Sequence, residues 1–169
     1  YGRIPSLKTS HPVPAADLKL PTHPPRRPDR SPAAAPRRFF LSHKQQDTAA
    51  QATALFYELG GAPAVWFDKA VEQRDEQSMR DGVAECANFI FVLSPHVWDG
   101  RFCRLELAEA HRLKRNILLV YPVDDHRIGD LLAAIPDEFA FLRDIDAIPV
   151  HRDHEYLAVD VGKIRKRAV

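Results

Sequence analysis

The chain has 169 residues, a formal net charge of +1, 14 prolines and two cysteines. That length suits one domain with an appended segment better than two domains, and a composition of 45% hydrophobic and 28% charged residues can bury a real core. No apolar run approaches the ~20 residues that a membrane span requires. Cys86 and Cys103 make neither a disulfide framework nor a CxxC zinc or redox motif, which points to a reducing, cytoplasmic compartment.

The small net charge averages two unlike segments. Residues 1–36 hold nine of the prolines and carry a net charge of +4, so residues 37–169 carry −3. The first segment, with Pro24-Pro25-Arg26-Arg27-Pro28 at its centre, cannot sustain a helix or a central strand, because proline fixes φ and lacks a donor. It reads as a basic, proline-rich leader, with extended or polyproline conformation as its default.

From Arg37 onward the pattern becomes strand–helix alternation. Short apolar runs at 38–42, 64–67, 89–94, 117–121 and 145–150 predict five strands. Between the first two, Ala52, Leu55, Phe56 and Leu59 keep helical spacing, and Gly60-Gly61 marks the stop. Met79, Val83 and Cys86 predict a second helix, Ile128, Leu131, Leu132 and Ile135 a later one. Leu157, Val161 and Ile164 form the last stripe, ending in basic residues that suit a helix C-terminus. Unbroken apolar strands alternating with helices predict an α/β, flavodoxin-like doubly wound fold: a five-stranded parallel sheet covered on both faces. Such folds place their sites at the carboxyl ends of the strands.

Several chemistries fall away at those ends. The chain has no G-x-G-x-x-G and no G-x-x-x-x-G-K-[ST], so dinucleotide fingerprints and P-loops are excluded. The first and third strands end in Leu41-Ser42-His43-Lys44 and Leu93-Ser94-Pro95-His96, without a phosphate acceptor's carboxylates.

The positive signal lies between the third and fourth strands. On a helical wheel Glu106 falls roughly 60° from Cys103, inside the apolar stripe of Cys103, Leu107, Ala110 and Leu113. Glu109 lies at the edge of that stripe. A carboxylate among core-facing positions is costly unless it is paired or used. Two readings follow for Glu106: an ion-pair partner of an arginine, or a functional carboxylate in a cleft.

The residues around it resemble a Toll/interleukin-1 receptor (TIR) domain of the NAD+-cleaving type, with plant or protist members nearest in motif. Phe39-Phe40-Leu41-Ser42-His43-Lys44-Gln45-Gln46-Asp47-Thr48 resembles the plant pattern F-L-S-F-R-G-E-D-T. Val65-Trp66-Phe67-Asp68 resembles the family's second strand, Phe91-Val92-Leu93-Ser94 its V-L-S third strand, and Phe102-Cys103-Arg104-Leu105-Glu106-Leu107 its W-C-x-x-E-L box. The four matches occur in order within residues 37–165, so residues 37–169 are identified as the TIR domain.

This resemblance implies cleavage of the nicotinamide–ribose bond of NAD+, with NADP+ as an alternative substrate, and Glu106 as the catalytic carboxylate. The products would be nicotinamide with ADP-ribose or a cyclic isomer of it. Ser42, His43, Lys44, Trp66, Asp68, Ser94, Phe102 and Cys103 are implied to line the substrate site. Lys44 stands where the family carries arginine and offers a point charge without the planar fork. Trp66 is either a stacking surface for nicotinamide or an ordinary strand core residue. Cys103 reads as an inert core thiol near the cleft, and Asp47 as a residue that caps or positions the first helix.

The resemblance further implies self-association and a role in defence or cell-death signalling, with residues 69–77 in the place of the family's BB loop. No cofactor beyond NAD+ as substrate and no metal is implied, His151-x-x-His154 being the one close histidine pair. A body of net −3 argues against nucleic acid as a partner. Two other readings stand beside the NADase: a non-enzymatic TIR adaptor acting by homotypic assembly, and a related glycosyl-bond enzyme acting on nucleosides.

Overall fold

The computed structural model describes residues 37–67 and 75–169. The leader at 1–36, the Asp68 expectation and most of the segment at 69–77 lie outside the described residues. In chain order the elements are β1 (Phe39–Ser42), α1 (Gln45–Glu58), β2 (Val65–Phe67), α2 (Glu76–Glu85) and β3 (Asn88–Val92). A short 3-10 helix at Val97–Asp99 then leads into α3 (Arg101–Arg112), β4 (Asn116–Pro122) and α4 (Ile128–Ala133). A second 3-10 stretch at Asp137–Asp144 precedes β5 (Ile148–Val150) and α5 (His154–Arg167).

The strands form one parallel sheet in the order β2-β1-β3-β4-β5. This is the doubly wound α/β arrangement expected. Every residue of β1, β2 and β3 is buried, as a sheet covered on both faces requires.

Alternation along the strands divides the core into two layers. Phe39, Leu41, Val65, Phe67, Ile90 and Val92 pack against Ala52 and Leu55 of α1 and Leu157, Val161 and Ile164 of α5. Phe40, Trp66, Phe89 and Phe91 pack on the other face against Met79 and Val83 of α2 and Leu107 and Ala110 of α3. Each fully buried Phe or Leu contributes about 1.5–3 kcal/mol, so these layers set the positions of α1 and α3 firmly. Ser42 continues the Phe40 row and therefore faces α3.

The start of β5 differs from the sequence reading. β5 starts at Ile148, because Ile145 instead closes the 3-10 stretch, its N–H bonded to Leu142 O at 3.1 Å. α1 stops as expected: Gly60 and Gly61 take φ of 115° and 68°, which glycine alone adopts cheaply.

Candidate active site

The chain leaves β1 toward α1 on one face, while β3 feeds α3 on the other, so the switch point of the sheet lies between the carboxyl ends of β1 and β3. α3 begins beside it, at Arg101. The side chain of Glu106 is carried inward between Cys103, Leu107 and Ala110, and the residue is 6% exposed. Ser42 Oγ donates to Glu106 Oε2 at 2.6 Å, a length typical of a hydroxyl bound to a carboxylate. Cys103 Sγ, one turn earlier on α3, donates to His43 O at 3.4 Å. These two bonds join α3 to the end of β1.

Burial, with the nearby Glu106 carboxylate acting in the same direction, pushes the Cys103 thiol up to about 12. The thiol is therefore protonated at neutral pH and serves as a donor rather than a nucleophile. Lys44 is close enough to exert an opposing electrostatic pull on it. The His43 ring stacks on Phe67, with centroids 5.1 Å apart. Ser42, His43, Lys44, Cys103 and Glu106 thus form one cluster.

Ser42 is the last residue of β1, where the apolar run at 38–42 puts it, and is buried. Other residues of the expected site stand elsewhere. Trp66 stacks on Phe40 with centroids 4.3 Å apart and planes 9° from parallel, one layer below Ser42, which is the packing of a core residue. Ser94 is buried near Asp47, and its hydroxyl makes no hydrogen bond among the described residues. Phe102 lies on the outer side of α3, 39% exposed, with the Arg101 guanidinium over its ring.

Asp47 does not cap α1. The N-cap is Lys44, which makes no side-chain cap bond, while Asp47 accepts from the His96 N–H at 2.9 Å and pairs with His96 Nδ1 at 3.0 Å. Sequence reading noted His96 only as a strand end. Nothing in local spacing announces a partner 49 residues away.

Glu109 is as buried as Glu106 but differently partnered. Arg112 grips both its oxygens, at 2.6 and 2.9 Å, and Arg80 of α2 reaches it at 2.9 Å. The Arg112 hydrogen bond first, and Arg80 after it, hold this carboxyl below the usual range against the opposing effect of burial. Glu109 is a structural ion pair. The histidine pair also separates: His151 binds Asp160 at 2.7 Å and His154 meets Glu58 at 3.2 Å.

A family model described as TIR domain matches residues 39–157, more than half of the chain. The chain belongs to the TIR domain family. No curated protein matches the sequence. Among solved structures, the TIR domains of the activated Roq1 resistosome directly recognizing the pathogen effector XopQ match with a TM-score of 0.52 and 15% identity. That match covers 77% of this chain and 98% of the other, a likeness of fold. A diflavin flavoprotein A3 from Nostoc sp. matches at a TM-score of 0.40 and 18% identity, covering 78% of this chain and 93% of that one. Among the described residues of this TIR domain, no helix is long and apolar enough to cross a membrane.

Proposed function

We propose that this TIR domain hydrolyses NAD+, or NADP+, at the bond between nicotinamide and ribose, with Glu106 as the catalytic carboxylate. The observation that carries this reading is the placement of Glu106: a buried carboxylate on α3 at the carboxyl edge of the sheet, with the Ser42 hydroxyl at the end of β1 bonded to it.

The chemistry suits one carboxylate. Nicotinamide is a pyridinium in NAD+ and leaves as a neutral ring when the C–N bond breaks with both electrons, so no acid is needed to protonate it. The ribose is left with oxocarbenium character, the same charge that develops in glycoside hydrolysis. An anion in a water-poor site stabilises that charge by several kcal/mol. Water adding at the anomeric carbon, with loss of a proton, gives ADP-ribose. Attack by an atom of the adenosine half gives a cyclic isomer instead. His43 and Lys44 supply polar contacts at the mouth, Lys44 to a phosphate or the carboxamide.

Self-association and a defence or cell-death role belong to the same proposal. They rest on family membership and on the likeness to the Roq1 TIR domains, which are described in an activated resistosome. The test is incubation with NAD+ at increasing protein concentration, products separated chromatographically, beside Glu106→Ala. Turnover in the wild type and its loss in the variant are expected. Undiminished turnover in Glu106→Ala sinks the assignment, and an inert wild type at high concentration favours the adaptor.

A further inference from the structure

We infer that Ser42 is a positioning residue for Glu106 and not a substrate contact. The inference rests on the NAD+-cleaving reading above and goes beyond it by assigning what fixes the carboxylate.

Ser42 is 1% exposed. Its Oγ already donates to Glu106 Oε2 at 2.6 Å, so its proton is committed. The backbone beneath it is rigid: β1 is an inner strand with β2 and β3 on either side, and Ser42 pairs with Phe91 in register. A glutamate on a helix has three side-chain torsions and would otherwise explore several rotamers. A bond from an inner strand restricts those rotamers and satisfies an oxygen that burial has taken from water. The Cys103 bond to His43 O pins the preceding turn of α3 to the same strand end. Helix position and carboxylate rotamer are therefore both referenced to β1. Catalysis by a fixed anion depends on such preorganisation, since a carboxylate that must reorient loses its advantage in the transition state.

The experiment uses the full chain with NAD+ as the probe. Steady-state turnover is measured for wild type, Ser42→Ala, Ser42→Thr, Glu106→Ala and the double Ser42→Ala/Glu106→Ala, with thermal melts to confirm folding. Ser42→Ala is expected to lose about 10–100-fold in kcat with KM within about twofold, the signature of an interaction felt in the transition state. Ser42→Thr, which keeps the hydroxyl, is expected to recover most of the loss. Calorimetry is expected to give the same NAD+ affinity for Glu106→Ala and the double variant, because Ser42 acts only through the carboxylate.

Raised KM with unchanged kcat, or weaker NAD+ binding by the double variant than by Glu106→Ala, would overturn the inference in favour of direct substrate contact. Full turnover in Ser42→Ala alongside an inactive Glu106→Ala overturns positioning and leaves the NAD+ reading intact. Full turnover in Glu106→Ala overturns both. If Ser42→Ala fails to fold, Ser42→Cys, similar in volume but a weak donor, carries the same expectation for kcat.

Discussion

Asp47 and His96 are tied by two hydrogen bonds, one from the His96 backbone N–H and one through Nδ1, across the crevice between the carboxyl ends of β1 and β3. That crevice is the switch point where doubly wound folds commonly receive ligands. Here the first turn of α1 is bonded directly to the loop after β3. The polar cluster of Ser42, His43, Cys103 and Glu106 lies to the α3 side of this tie. The tie holds the two loops together while α3, not the crevice floor, presents the carboxylate.

Asp47→Ala is expected to lower stability by about 1–2 kcal/mol, the cost of losing hydrogen bonds to a charged acceptor. Burial works against ionisation of Asp47, but the nearby Ser94 hydroxyl and the two His96 contacts outweigh it and hold the carboxyl below its ordinary value. A depressed carboxyl pKa contributes stability that is full above the ordinary carboxylate range and is lost as pH falls through the folded value. Urea unfolding should therefore show a gap between wild type and variant that persists from pH 7 to about pH 5 and closes below about pH 4. A gap unchanged at low pH would assign the effect to packing alone.

The Glu109 pair predicts an asymmetry between its two sides. Glu109→Ala removes a buried anion and leaves Arg80 and Arg112 to water, since their side chains are 39% and 65% exposed; about 1–2 kcal/mol is expected. Removing both arginines instead leaves the carboxylate without its cations, in whatever burial the rest of its surroundings retain, and should cost more. In that double variant burial would raise the Glu109 pKa, so its deficit should shrink as pH falls and the group protonates. Urea titrations at pH 7 and pH 5 measure both statements. A double variant as stable as Glu109→Ala refutes them.

The strands and helical stripes were legible because they depend on periodicity, which residues such as Phe39–Leu41 and Leu157, Val161 and Ile164 carry locally. The inward direction of Glu106 was legible for the same reason: an angle on a helix is a property of spacing. What it binds was not, because Ser42 is 64 residues away and contact depends on strand register. Trp66 shows the complementary limit. Alternation assigns it a face of the sheet but not a depth, and only the stack on Phe40 places it below the site. Glu109 read as an edge residue because one of its partners, Arg80, comes from a neighbouring helix that spacing on α3 does not reveal. Ile145 kept its apolar character but left the strand, since an apolar run does not distinguish β5 from the turn before it.

Gly82 gives the sharpest test of the Trp66 placement. It lies in the middle of α2, where glycine costs roughly 0.5–1 kcal/mol relative to alanine, so propensity alone predicts that Gly82→Ala stabilises the protein. The geometry predicts the reverse. A Cβ at this position would sit 2.6 Å from Trp66 Cε2 and 2.7 Å from Nε1. Those atoms belong to a rigid ring that is itself stacked against Phe40 and cannot yield at its tip. Either α2 or the indole must shift, and overpacking of this kind costs about 1–3 kcal/mol. Gly82→Ala should therefore lower Tm, whereas combining it with Trp66→Leu should recover much of the loss, because the smaller side chain vacates the contact. A stabilised Gly82→Ala would mean that the Trp66 ring does not occupy this layer, and would reopen its assignment to the substrate site.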